Sequence, residues 1–195
     1  TDLFTNFRWI IPYLGLIIVF ILACWFSPIL DGWPVFLQIE NLLDIVSYVS
    51  VRGIIAVGMT FVIISGGIDL SVGSVLAVST VLCAMTLNTW EMGTMWGILL
   101  PLLAGAAAGS FNGIFTAIGR IQPFVVTLAM MSIARGIAMA LSHNYTIEIP
   151  SERTSFLWLG DKIFGTIPIA ALLFLMIVVV FQILLVYTAF GRNLY

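Results

Sequence analysis

Six long apolar stretches follow one another along the chain, separated by short segments that carry most of the glycine, proline and charge. Residues 9–26 are uncharged and flanked by aromatics, and residues 45–65, 70–90, 95–118, 124–141 and 167–190 repeat the pattern. A helix needs about 20 apolar residues to cross a bilayer, so the pattern predicts six spanning helices. Pro12 falls in the first turn of the first, where its missing N–H is tolerated. Residues 27–41, with Pro28, Asp31, Gly32, Pro34 and Glu40 among aromatics, suit a membrane surface. Residues 119–123 form a tight turn and residues 143–166 the longest polar loop. Arg52 is expected in the first two turns of the second span, close enough to one surface to snorkel. Arg135 lies inside the fifth.

Composition agrees with the pattern. With 62% hydrophobic and 8% charged residues and a mean hydropathy of +1.18, the chain reads as an all-α integral membrane protein, a polytopic helical bundle forming one transmembrane domain over residues 1–195. Seven basic against nine acidic residues argue against a nucleic-acid partner. Cys24 and Cys83 lie in apolar runs and behave as small hydrophobes. The first apolar stretch is too long for a signal-peptide core and is expected to be retained. Six spans put both termini on one side together with Arg8, Arg120 and Arg192, against Arg153 and Lys162 opposite. The positive-inside rule then places the N-terminus in the cytoplasm.

The most informative interruption is V-G-M-T-F-V-I-I-S-G-G-I-D-L-S-V-G-S-V-L-A at residues 57–77. One carboxylate, Asp69, stands there among Gly66, Gly67 and Gly73, although an ionisable group at bilayer depth costs about 2.5–3.5 kcal/mol on insertion scales. Asp69 either caps the third helix, towards the cytoplasmic end, or lies deeper along a water-filled path, where irregular backbone is tolerated. Gly105, Gly109 and Gly113 make a small-residue stripe expected to receive another helix of the same chain, with Asn112 beside it as interhelical glue. Arg135, with Ser132 one turn before it, is expected to face the bundle interior and pair there, or to line a pathway. His143 reads as an interfacial hydrogen-bonder. No nucleotide-binding loop, metal-ligand cluster or nucleophile–base pair is present in the sequence.

Three ordered motifs, residues 58–74, G-x-x-x-G-x-x-N-G at 105–113 and I-Q-P-F-V-V-T-L-A-M-M-S-I-A-R-G at 121–136, resemble the ribose/xylose/galactoside-type permeases of bacterial ABC importers, in the branched-chain amino acid/ribose permease superfamily. The match covers residues 44–136, and Gly191-Arg192-Asn193 also fits. The resemblance implies a permease of the inner membrane, paired with a second permease copy or related chain. It also implies cytoplasmic ATPase subunits that hold the ATP and magnesium, a periplasmic sugar-binding protein, and no cofactor or enzymatic activity in this chain. It implies about ten spans in two related halves, of which about six are here, so a truncated or partial chain is expected. The pathway residues expected from it are Met59, Phe61, Ile63, Thr127 and Arg135, with Asp69 and Asn112 shaping the break, while Gly191, Arg192 and Asn193 couple to the ATPase. A secondary transporter using Asp69 for a coupling ion is the alternative reading, and a membrane-embedded enzyme a more distant one.

Overall fold

The computed structural model describes residues 11–30, 32–149 and 154–194. Helix α1 (Ile11–Phe26) is followed by a two-residue hairpin, β1 (Ile29–Leu30) against β2 (Trp33–Pro34), and a 3-10 turn at Val35–Leu37. Then come α2 (Ile39–Ile64), α3 (Val72–Ala84) continued by a π-helical turn at Met85–Thr89, α4 (Thr94–Ala117) and α5 (Pro123–Ser142). A short helix α6 (Thr154–Leu157) and a second small hairpin, β3 (Lys162–Ile163) with β4 (Ile167–Pro168), lead into α7 (Ile169–Tyr187) and the one-turn α8 (Ala189–Arg192). Helices satisfy their own backbone hydrogen bonds, which is what hydrocarbon demands.

Five helices among the described residues are long and apolar enough to cross a membrane: α2, α3 with its π turn, α4, α5 and α7. Of the expected first span the described residues show an apolar helical stretch at Tyr13–Phe26, and residues 9 and 10 lie outside the described residues. So do Arg8 and Arg153, on which the orientation argument drew. Helix α2 begins at Ile39 and not near residue 45, because Glu40 favours a helix start and the polar residues that follow continue the helix above the apolar zone. Arg52 therefore stands near the middle of α2, well beyond its first two turns.

Helix α3 lies between α4 and α5, while α2 packs on α7. The α3–α4 seam runs through three α4 positions. Leu87, fully buried in the π turn, lies against Gly97, where an added Cβ would fall 2.7 Å from its side chain. Ser79 donates to the Pro101 carbonyl at 3.3 Å, and Asn112 reaches Ser71 at 3.1 Å. The Gly105, Gly109 and Gly113 stripe takes no part: an added Cβ at each meets nothing within 4 Å. The expected close helix approach thus occurs at Gly97 instead, two four-residue steps before Gly105 on the same helix. On α7 the equivalent contact is the Phe174 ring, 2.6 Å from a Cβ placed on Gly53 of α2.

At one end of the bundle, here the loop end, three contacts fix the long loop. Lys162 pairs with Asp44 at 2.8 Å, Asn88 donates to the Glu148 carbonyl at 2.9 Å, and the Thr94 and Ser155 hydroxyls meet at 2.7 Å. The opposite end holds the break between α2 and α3 and the α4–α5 turn. Replacing Gly97 by Val forces Leu87 out of its site, and overpacking of this kind costs about 1–3 kcal/mol. Thermal unfolding in detergent should show a lower midpoint for Gly97→Val, and an unchanged midpoint would refute the seam.

Candidate functional site: a recessed helix break and its cleft

Helix α2 is closed by two glycines. Gly66 adopts φ +77°, its N–H donating to the Ile63 carbonyl at 3.0 Å while the Gly67 N–H reaches Val62 at 2.9 Å. This is a Schellman closure, which needs a left-handed residue that glycine adopts without a steric penalty. Past it the chain stays irregular until Ser71, whose carbonyl accepts from the Ser74 and Val75 N–H groups at 2.9 Å each and so starts α3. Asp69 holds this start from outside. Its Oδ1 accepts from the Ser71 N–H at 2.7 Å and from the Ser71 hydroxyl at 2.6 Å. Capping by Asp69 is thus indirect, with Ser71 in the N-cap position.

Two neighbouring helices tie the break down. The Asn112 amide of α4 donates to the Ser71 hydroxyl at 3.1 Å, and the Thr127 hydroxyl of α5 lies 3.1 Å from the Ile68 carbonyl and 3.3 Å from that of Phe124. Ser71, Asn112 and Thr127 are 1%, 8% and 4% exposed. Because the Ser71 hydroxyl gives its proton to Asp69, it can only accept from Asn112, which leaves Asn112 Oδ1 without a partner among the described residues. Buried polar atoms are seldom left so.

These contacts also set the depth of the break. Thr127 is four residues beyond Pro123, and Asn112 five before Ala117. At 1.5 Å per residue the break is recessed roughly 6–8 Å from the ends of α4 and α5. Of the two placements expected for Asp69, a cap at the helix ends or a deeper position, the recess relative to α4 and α5 agrees with the deeper one.

A cleft of about 310 Å³ opens between α2 and α3, with Ile54, Gly58, Met59 and Val62 on one wall and Asp69, Val75, Leu76 and Ser79 on the other. Met59 and Asp69 thus meet at one cleft, with Asn112 and Thr127 behind it. Phe61 faces elsewhere, its ring 5.0 Å from Phe181 of α7 and 6.1 Å from Phe190 of α8. Ile63 is exposed outside the cleft lining. Arg135 is exposed on α5 and makes no hydrogen bond or ion pair among the described residues, contrary to the expected interior pairing. His143 ends α5 in a left-handed conformation at φ 51°. In α8 the Thr188 hydroxyl accepts from the Gly191 N–H at 3.3 Å, and Arg192 and Asn193 are exposed. A Cβ on Gly191 would overlap the Leu185 carbonyl, so this turn requires glycine. Sequence reading passed over Ser71; the D-x-S spacing, which suits a local side-chain turn, was its signal.

Ser71→Ala removes a donor from Asp69 and the acceptor of Asn112, for an expected loss of about 1–3 kcal/mol. A double-mutant cycle of Ser71→Ala with Asn112→Ala, read by chemical unfolding in detergent, should be clearly non-additive. Additive losses would show that the two side chains act separately.

The family described as branched-chain amino acid transport system / permease component matches residues 41–195. The ribose import permease protein RbsC of Bacillus subtilis (strain 168) is 35% identical over 184 residues, covering 94% of this chain and 55% of the relative. The L-arabinose ABC transporter permease protein AraH of Azospirillum brasilense is 38% identical over 179 residues, covering 92% and 51%. The galactofuranose transporter permease protein YtfT of Escherichia coli (strain K12) is 34% identical over 194 residues, covering 95% and 55%. The chain spans about half the length of these curated relatives. No solved structure matches it. A family match over 155 of 195 residues, together with five helices able to span a membrane, makes this chain a member of the branched-chain amino acid transport system permease family.

Proposed function

We propose that the chain forms part of the permease subunit of an ATP-driven importer that carries a monosaccharide or similar small sugar from periplasm to cytoplasm. It works in the bacterial inner membrane with its N-terminus and its break end in the cytoplasm. Residues 1–195 belong to a single transmembrane permease domain. The partners are cytoplasmic ABC ATPase subunits that bind ATP and magnesium, a periplasmic sugar-binding protein, and a second permease copy or related chain. The names of the relatives, covering ribose, L-arabinose and galactofuranose, support a sugar.

The observation that carries this reading is the recessed break beside a cleft. It joins two helix groups, α2 with α7 and α3 with α4 and α5, by seven non-helical residues at 65–71. Hydrogen bonds from Asn112 and Thr127 fasten the break to the second group, so relative motion of the groups opens or closes the cleft lined by Met59 and Asp69. The ATPase signal enters at Gly191, Arg192 and Asn193. Helix α8 follows α7 directly, and Phe190 stacks on Phe61 of α2, so displacement of α8 carries the first group with it. Ile63, Thr127 and Arg135 complete the proposed pathway set. A neutral polyol needs few charges along its path, which suits a spanning region with so few ionisable side chains.

In the complete permease, reconstituted with its ATPase and binding protein, Asp69→Asn and Asn112→Ala should each lower sugar uptake about tenfold, comparable to a barrier rise of 1.4 kcal/mol. Wild-type folding and uptake in both variants would reject the assigned roles. Uptake that survives ATP depletion and collapses with the ion gradient would reject an ATP-driven importer.

A further inference from the structure

We infer that the Asn112–Ser71 bond is a latch within the second helix group: the break end of α3 swings away from α4, while Thr127 keeps it on α5 and the Leu87–Gly97 contact holds its other end. The latch concerns how α3 moves and is independent of the solute carried. Its origin is Asn112 Oδ1, the one buried side-chain nitrogen or oxygen without a partner among the described residues. That oxygen is sealed from solvent, so water, a solute or any further segment of chain reaches it only after the packing around it opens. Turning the amide over brings no relief. The Ser71 hydroxyl gives its proton to Asp69 at 2.6 Å, and an amide oxygen turned towards Ser71 would meet a lone pair in place of a donor. The closed seam therefore holds an acceptor that its own conformation cannot satisfy, and such an acceptor costs more than one interhelical bond returns in a membrane.

The seam gives way at the break end because the rest of α3 is held better. At the loop end Leu87 is fully buried against Gly97, and Ser79 donates to the Pro101 carbonyl. Towards α5 the buried Thr127 hydroxyl lies within hydrogen-bond reach of both the Ile68 and the Phe124 carbonyls, so that tie leaves its side chain satisfied. Towards α4 the break end has a single side-chain bond, at 3.1 Å, and it is the bond that orphans Asn112 Oδ1. The same half of α3 has room to move. The cleft of about 310 Å³ lies on one side, and a second cavity of about 350 Å³ opens where α3, α4 and α5 meet, with Val75 and Val78 opposite Ala104, Ala108 and Phe111 of α4. Val75 lines both, so this part of the helix forfeits packing contacts on two sides. Opening the latch leaves the two Ser71 bonds to Asp69 intact, so α3 keeps its start and moves as one piece. Water then meets Asn112 Oδ1, which the closed seam leaves unpaired.

The test uses the complete permease in native membranes, its native cysteines replaced by Ala. Single cysteines at Ser74→Cys, Ala84→Cys and Ala134→Cys report on the break end of α3, its loop end and the buried side of α5, and all three sites are buried in the closed seam. The probe is a small, charged, water-soluble methanethiosulfonate. Expected is labelling at position 74 at least tenfold faster than at 84 or 134. Adding Asn112→Leu, which removes the orphaned oxygen at nearly the same side-chain volume, should slow position 74 to the level of the other two. Equally slow labelling at all three positions would overturn the latch. So would fast labelling at 74 that Asn112→Leu leaves unchanged or accelerates, because the bond and not the orphaned oxygen would then govern the seam. Labelling at 134 as fast as at 74 would show α3 leaving α5 as well, and would overturn the pivot on Thr127. Where Ser74→Cys does not assemble, Val75→Cys carries the same comparison with and without Asn112→Leu.

Discussion

Hydrocarbon offers a peptide group no hydrogen-bond partner, and this constraint governs the structure. Helices meet it automatically, and seven residues at 65–71 do not. There the donors and acceptors are supplied from outside the helix ladder: a glycine closure for the end of α2, the Asp69 carboxylate for the Ser71 N–H, and the Thr127 hydroxyl for the Ile68 carbonyl. Each interhelical bond of this kind contributes only about 0.6 kcal/mol on average in membranes. Their worth lies in removing alternatives, since a break without them would expose several unpaired groups at once.

The division into two helix groups follows from where the close contacts fall. Gly53 admits the Phe174 ring and Gly97 admits Leu87, so each group is sealed by one glycine and one large side chain. Between the groups there is a cleft and a polar hinge in place of such a seal.

Much of this could be read from the residues. Apolar runs gave four of the expected spans nearly to their ends and a fifth, α2, all but its first six residues, and the G-G-I-D-L-S interruption located the break. What could not be read was direction around each helix. Phe61 and Met59 are two positions apart in the same motif, yet one faces α7 and the other the cleft. The Gly105, Gly109 and Gly113 repeat signals close approach, but the seam is set by Leu87, which reaches Gly97 through a π turn that no apolar pattern announces. Arg52 was misplaced because a helix can begin above the membrane as well as in it, and Glu40 at its first turn favours that start.

The recess of the break alters the barrier itself. A hydrocarbon layer is about 30 Å thick, and α3 starts roughly 6–8 Å inside the level of its neighbours. Asp69, Ser71 and Thr127 thus set a carboxylate and two hydroxyls below the ends of α4 and α5, so polar groups stand within the helical layer itself rather than only at its edge.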